Sequence, residues 1–355
     1  MNPTPAPRAP APAPLLHVRG LCKYFPIRSK GFFTKQTGVV KAVDDVHFDL
    51  MPGETLGLVG ESGSGKTTCA RTILRALRPT AGEILFRTDD GLVDLATLSD
   101  RALKPLRQKM QMIFQDPFAS LNPRMTVESI VGEPLEIHKL AHGAERKDRV
   151  ADMLLRVGLR PEHLQRYPHA FSGGQRQRIG IARALIMRPS LVVADEAVSA
   201  LDVSVQAQVL NLLADLQAEF GLTYVFVAHN LAVVRHVCDR VAVMYAGRIV
   251  ELATTEALFQ DPRHPYTKLL LSAVPSVDPD VRMNLSAGGE VADAGRLPPG
   301  CGFHPRCPHR FGPCDRRQPP LRPLPDGRLV ACHLQCDRCL PEADSSSTPD
   351  PNQRS

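Results

Sequence analysis

The chain has 355 residues, of which 43% are hydrophobic, and its 43 Lys and Arg against 37 Asp and Glu leave a formal net charge of +6. So much apolar material excludes wholesale disorder and supports one large domain with an appendage, or two domains. The basic excess is mild for this length and does not call for nucleic acid, because a solvated basic surface explains it at least as well.

Residues 1–14, MNPTPAPRAPAPAP, form a Pro/Ala-rich stretch expected to be a disordered tail, and they lack the apolar segment of a signal peptide. No apolar run reaches the roughly 18–20 residues of a bilayer span. The expectation is a chain kept in the cytosol that meets a membrane only through a partner. Residues 46–50 alternate apolar and polar as a half-buried strand does, and Met51, Pro52 and Gly53 turn it. Residues 55–59 are a short apolar strand. There follows GESGSGKT, Gly60 to Thr67, which fits G-x-x-x-x-G-K-[ST] between a strand and a helix, the context that the motif needs. Its glycines let main-chain amides turn inward around phosphates, Lys66 adds a point charge, and the Thr67 hydroxyl is a ligand for Mg2+. A chance glycine-rich turn is the competing reading, and the context disfavours it. The helix from about Lys66 ends before Pro79.

Residues 111–114 have buried-strand length, and 117–172 read mainly as helix and loop inserted between sheet strands. FSGGQRQRIGIARAL begins at Phe171, with Ser172, Gly173 and Gly174 directly before an apolar-periodic helix that ends by Pro189. A bare helix N-terminus is an anion site. Why should a chain with one phosphate cradle carry a second? Next, LVVADE ends a buried strand in Asp195 and Glu196, at the sheet's C-terminal edge beside the phosphate loop. Asp195 suits a water-mediated contact to Mg2+, and Glu196 suits the polarising of an attacking water. A helix from about Ser204 carries Val205, Val209, Leu212, Leu213 and Leu216 on one face. TYVFVA, residues 223–228, runs into His229; a lone histidine there is more often structural, and only the neighbouring motifs give it a place at the γ-phosphate. Strands alternating with helices predict an α/β domain with a mostly parallel sheet covered on both faces.

Past about residue 250 the chain becomes rich in Pro, His and Cys. Cys22, Cys69 and Cys238 are scattered and read as buried small hydrophobes, while six of the nine cysteines crowd into the tail. In a reducing compartment that density points to metal rather than disulfides. Cys301, Cys307, Cys314 and Cys332 are spaced C-x5-C-x6-C-x17-C, without the short pairs of zinc ribbons, and four thiolates suit either Zn2+ or an iron–sulfur cluster. Cys332, Cys336 and Cys339 have the spacing of radical-SAM enzymes, which however place it early in a barrel and not in a tail.

In this order, GESGSGKTT, Gln115, FSGGQ, LVVADE, SALD at 199–202 and His229 resemble the ABC-type ATPases, FSGGQ being similar to the signature motif of that superfamily. QDPFASLNPR (115–124), SALDVSVQAQVLNLL, HPYTKLLLSAVP (264–275) and KYFPI…GVVKAVDDV look like its peptide-importer branch, the subunit lettered F in dipeptide and oligopeptide permeases. GCGFHPRCPHRFGPC…LVAC is similar to the dipeptide permease version. The resemblance covers about residues 15–335. It implies an ABC-type P-loop ATPase fold, α/β with a mostly parallel core sheet, over residues 15–250, with an inserted helical lobe at about 117–172. A small Cys-rich C-terminal extension would take 251–340, and 341–355 would be a second disordered tail.

The resemblance also answers the question of the two phosphate sites. Ser172, Gly173, Gly174 and Gln175 would cap the γ-phosphate of ATP held by an opposite chain, so each complete site is shared. Phe25 matches the aromatic that stacks on adenine, with Tyr24 the neighbouring candidate, and such stacking tolerates any base. Gly60, Glu61, Ser62, Gly63, Ser64, Gly65, Lys66, Thr67 and Thr68 would hold the phosphates. Thr67, Gln115 and Asp195 would serve Mg2+, Glu196 and His229 would be catalytic, and Asp202 lies on the loop that crosses to the partner. Three positions depart from the family pattern: Ala197 stands where Pro is common, Asn230 where Asp is usual, and Ala253 where Gly is frequent. None removes a ligand or catalytic group.

Similar tails carry a 4Fe–4S cluster, which the resemblance places on Cys301, Cys307, Cys314 and Cys332, with zinc as the alternative. The implied function is ATP binding and hydrolysis that energises import of dipeptides or oligopeptides, at the cytoplasmic face of the inner membrane. A second, non-identical ABC ATPase, two transmembrane permeases and an extracytoplasmic peptide-binding protein would be its partners, and nucleic acid would not. Related machinery imports nickel chelates, glutathione and murein peptides. A soluble ABC ATPase without a transporter, and a metal or redox sensor, are the readings from other classes.

Overall fold

The structure, a computed structural model, describes residues 13–28, 36–272, 295 and 297–335. The stretches expected as tails lie outside the described residues, apart from residues 13 and 14, and so do Cys336 and Cys339.

Two long strands open the chain, β1 (Leu16–Arg28) and β2 (Gln36–Leu50), followed by β3 (Thr55–Val59) and helix α1 (Lys66–Ile73). Next come β4 (Ala81–Thr88), β5 (Gly91–Asp94), α2 (Asp100–Leu106) and β6 (Met110–Ile113). Helices α3 (Val127–Ile137), α4 (Gly143–Arg156) and α5 (Gly173–Leu185) then fill the interval before β7 (Leu191–Asp195). The rest alternates: α6 (Val203–Phe220), β8 (Thr223–Ala228), α7 (Leu231–Val237), β9 (Arg240–Tyr245), β10 (Arg248–Thr254), α8 (Thr255–Gln260) and α9 (Pro265–Ser272). Two short strands follow, β11 (Arg322–Pro323) and β12 (Leu329–Val330).

The strands make two sheets. One has the order β11-β12-β10-β9-β3-β8-β7-β6, and its β9-β3-β8-β7-β6 part is parallel throughout. The other, β2-β1-β4-β5, is antiparallel. This second sheet is not anticipated by the sequence, from which only residues 46–50 of β2 were expected as strand. The reason is local: the β1–β2 register shifts between Val18 and Leu21, Leu21 and Lys23, and Lys23 and Tyr24. Each shift breaks the period-two pattern by which a strand is read.

The parallel strands β3, β7 and β8 are buried along their whole length, because both faces of that sheet are covered. Their side chains divide cleanly between two cores. Leu56, Leu58, Leu191, Val193, Val225 and Val227 join β1, β2, β4 and the Cys69, Ala70 and Ile73 face of α1. Val192, Ala194, Tyr224 and Phe226 point the other way, into a core shared with α3 to α7. Each such aliphatic side chain contributes about 1.5–3 kcal/mol on burial. Helix α1 therefore lies between the two sheets, with its N-terminus at the end of β3.

At the far edge, β12 pairs antiparallel with β10 through Glu251–Val330 and Leu252–Leu329. The late, Cys-bearing part of the chain thus continues the large sheet. No helix among the described residues is long and apolar enough to cross a membrane.

Candidate nucleotide site

Between β3 and α1 the chain turns through Gly60–Gly65. Gly65 has φ +100°, and a Cβ on it would stand 2.1 Å from the Ala42 carbonyl oxygen; on Gly60 it would stand 2.2 Å from that of Met244. Only glycine fits so close an approach. Ser62, Gly63 and Ser64 complete the loop, with Ser64 buried, and Thr68 lies on α1. The Lys66 ammonium donates to the carbonyls of Gly60 and Glu61, at 2.8 Å each, and lies 3.5 Å from the Ser64 hydroxyl. Burial pulls its pKa down, against the pull of Glu196, Asp195 and Glu61. A glycine-rich loop wrapped around a buried ammonium fits a phosphate chain.

The Thr67 hydroxyl donates to Asp195 Oδ1 at 2.9 Å, and Arg71 lies 3.5 Å from Oδ2. Burial raises the Asp195 pKa, opposed by the Thr67 hydrogen bond and Arg71, with Glu196 adding to the rise. Hydroxyl and carboxylate oxygens side by side are the hard donors that Mg2+ prefers. The neighbouring Glu196 has φ +48°, a conformation that costs a non-glycine residue on the order of 1–3 kcal/mol. It is held by its amide on the Val227 carbonyl at 3.0 Å and by the Ser199 amide and hydroxyl on its own carbonyl, at 3.1 and 3.0 Å. Gln115 Nε2 donates to Glu196 Oε2 at 2.8 Å, and His229 Nδ1 stands 3.4 Å from the same oxygen. The ends of β6, β7 and β8 thus bring Gln115, Glu196 and His229 together. A cavity of about 90 Å³, lined by Glu196, Ser199, Gln206 and His229 among others, leaves room beside the carboxylate for water.

Ser172 and Gln175 form a capping box at the start of α5. The Ser172 hydroxyl accepts from the Gln175 amide at 3.4 Å, and the Gln175 carbonyl oxygen accepts from the Ser172 amide at 3.1 Å. The helix start is therefore less bare than the sequence suggested, although a box leaves the amides of Gly173 and Gly174 to outside partners. Gly174 has a packing role as well: a Cβ there would come 2.4 Å from Val205 Cγ1 on α6. Asp202 occupies the N-cap position of α6 without a side-chain cap bond. The Asn230 departure keeps the capping function, because its Oδ1 accepts from the Ala232 amide at 3.0 Å. Of the two aromatic candidates, Tyr24 is engaged, its hydroxyl donating to Asp44. Phe25 is 37% exposed with Lys23 above its ring.

Among the described residues, no three or more His, Cys, Asp or Glu side chains are grouped so as to hold a metal ion. Cys301, Cys307, Cys314 and Cys332 are free thiols. Burial pushes Cys301 up to about 11 and Cys332 up to about 12, and raises Cys307. The four thiols share one neighbourhood: Cys332 feels the charge of the other three.

Three contacts at the site went unread in the sequence. Arg71 supports Asp195. The Glu61 amide donates to the Tyr266 hydroxyl at 2.8 Å, and its carboxylate receives both Arg306 terminal nitrogens at 2.9 and 3.1 Å. Tyr266 lies in HPYT and Arg306 in GCGFHPRCPHRFGPC, but nothing in either segment pairs it with Glu61.

The chain matches the family described as ABC transporter over residues 43–199 and the oligopeptide/dipeptide transporter C-terminal region over 250–314. It is 51% identical over 327 residues to the oligopeptide transport ATP-binding protein AppF of Bacillus subtilis (strain 168), covering 90% of this chain and 97% of that one. Against the dipeptide transport ATP-binding protein DppF of Escherichia coli (strain K12) it is 49% identical over 320 residues, with 90% and 94% covered. Among solved structures, the dimeric post-hydrolysis state of the ATP-binding cassette MJ0796, bound to ADP and Pi, is 28% identical with a TM-score of 0.58, over 68% of this chain and 98% of that one.

Proposed function

The chain belongs to the ABC transporter ATPases, and from that premise we propose that it binds and hydrolyses ATP to energise import of dipeptides or oligopeptides. One observation carries the reading: Gln115 and His229 meet on a single oxygen of Glu196, beside the phosphate loop, in a chain that also matches the oligopeptide/dipeptide transporter C-terminal region.

ATP stacks its base on Phe25 and lays its phosphates along Gly60–Thr68, where Lys66 exchanges loop carbonyls for phosphate oxygens. Thr67, Gln115 and Asp195 would hold magnesium, which would supply positive charge against the phosphates. Glu196 takes the proton of the attacking water, and His229 faces the γ-phosphate. Ser172 to Gln175 serve the nucleotide of an opposite chain, with Asp202 on the crossing loop. That partner is a second, non-identical ATPase, and two permeases and an extracytoplasmic peptide-binding protein complete the importer at the inner face of the membrane. Residues 15–250 are the ATPase domain, 117–172 its helical lobe toward the permeases, and 251–340 the extension. The cysteines belong to the finer part of the reading. A 4Fe–4S cluster, with zinc the alternative, would sit on Cys301, Cys307, Cys314 and Cys332, supported by their shared neighbourhood and by main-chain amides bonded to the sulfurs of Cys301, Cys307 and Cys332.

Replacing the base tests the core of this reading. Glu196→Gln in the assembled complex retains ATP binding and hydrolyses at least about tenfold more slowly. Near-normal turnover would remove Glu196 from its role.

A further inference from the structure

Lys66 braces the phosphate loop from within, through the carbonyls of Gly60 and Glu61. A phosphate that claims the ammonium takes that brace away at the moment when the loop amides must be held in place. The Ser64 amide on the Glu61 carbonyl, at 3.2 Å, and the Gly247 amide on the Ser64 carbonyl, at 2.9 Å, remain, and the C-terminal extension adds two contacts, both on Glu61. The Tyr266 hydroxyl receives the Glu61 amide at 2.8 Å, and Arg306 grips the carboxylate with two nitrogens. Paired donors of this fork fix orientation as well as distance.

The grip is itself anchored. Arg306 is 8% exposed as a side chain and its guanidinium lies 5.7 Å from the Phe303 ring centre. Phe303, Tyr266 and Tyr245 are buried and mutually in contact, with ring centres 4.6–5.4 Å apart. This cluster joins the end of β9, helix α9 and the segment between Cys301 and Cys307 into one body behind the loop.

We propose that Arg306 and Tyr266 form a latch on Glu61, making the C-terminal extension a positioning element of the phosphate loop. The inference rests on the nucleotide-site reading and adds a role for the extension in nucleotide binding. Neither residue touches the reacting atoms, so both act on affinity more than on the chemical step.

The test measures binding of a fluorescent ATP analogue and, in the assembled complex, the KM-against-kcat split, with the full-length chain throughout. Arg306→Ala weakens nucleotide binding about five- to tenfold and raises KM with kcat within about twofold, and Glu61→Gln weakens binding by a similar factor. The double variant is no worse than the weaker single, because both remove one interaction. Arg306→Lys restores part of the affinity. Tyr266→Phe, which keeps the aromatic cluster and removes only the hydroxyl, weakens binding by a smaller factor and serves should Arg306→Ala fail to fold. Wild-type affinity in Tyr266→Phe and in a folded Arg306 variant, or additive losses in the double variant, overturns the latch. Absence of nucleotide binding by the wild-type chain, with Lys66→Ala as the blank, overturns the nucleotide-site reading itself.

Discussion

His264 is the residue whose burial has the clearest consequence. It is 1% exposed, its Nδ1 accepts from the Tyr266 amide at 3.0 Å, and its own amide donates to the buried carboxylate of Glu251 at 2.9 Å. Burial drives the imidazole pKa down to about 3. The unfolded chain protonates this histidine near its ordinary value of about 6.5, whereas the folded chain keeps it neutral. Its contribution to stability is therefore fully present above about pH 6.5 and is lost as pH falls toward 3, at up to about 1.4 kcal/mol per pH unit. Between pH 7 and 5 the loss reaches about 2 kcal/mol. His264→Gln should flatten the stability profile over this window by that amount in denaturant titrations, relative to the wild type. Parallel profiles for the two proteins would show that the imidazole does not stay neutral in the fold. The same residue anchors the start of α9 and with it the base of the Tyr266 contact.

At the level of elements, legibility followed the number of faces buried. TLGLV, LVVAD and TYVFVA stand out as unbroken apolar runs because β3, β7 and β8 are covered on both sides. Asp195, Glu196 and His229 could be found because each follows such a run. Strands β1 and β2 are bulged, and His17, Arg19 and Asp49 bind one another across them, so no simple period announces the pair. The cysteine extension was legible as a cluster in sequence, but its metal state is not fixed by spacing. Only Cys314 of the four is buried, and the proposed cluster rests on the main-chain amides that face the sulfurs of Cys301, Cys307 and Cys332. The full-length chain purified without oxygen should carry about four irons with acid-labile sulfide and a broad visible absorbance. Cys314→Ser should remove both. A colourless chain with one zinc would replace the cluster by an ion, and a metal-free chain would leave the cysteines as core.

Over the whole molecule, the contacts that escape sequence reading are those that close long loops: Glu61 meets Tyr266 across 205 positions and Arg306 across 245. Distance along the chain hides them, since neither side carries a pattern that names the other. In the proposed shared site, half of the nucleotide chemistry is hidden in a different way, because it would lie on the opposite chain. The capping box of Ser172 and Gln175 closes on itself, while the phosphate loop takes its contacts from Ala42, Met244, Tyr266 and Arg306. The two surfaces are built independently within one chain. Ser172→Arg should therefore leave the isolated chain's affinity for a fluorescent ATP analogue within about twofold of wild type. In the assembled complex it should lower turnover at the composite site that uses this Ser172 by about a hundredfold or more, as expected when donors at the γ-phosphate are blocked. The loss belongs to the partner's nucleotide, so adding Lys66→Ala to the same chain would disable the other site without restoring the first. Full ATPase activity from an isolated monomer bearing Ser172→Arg would mean that one chain holds a complete site, and the shared-site account of its two phosphate-binding helix starts would be wrong.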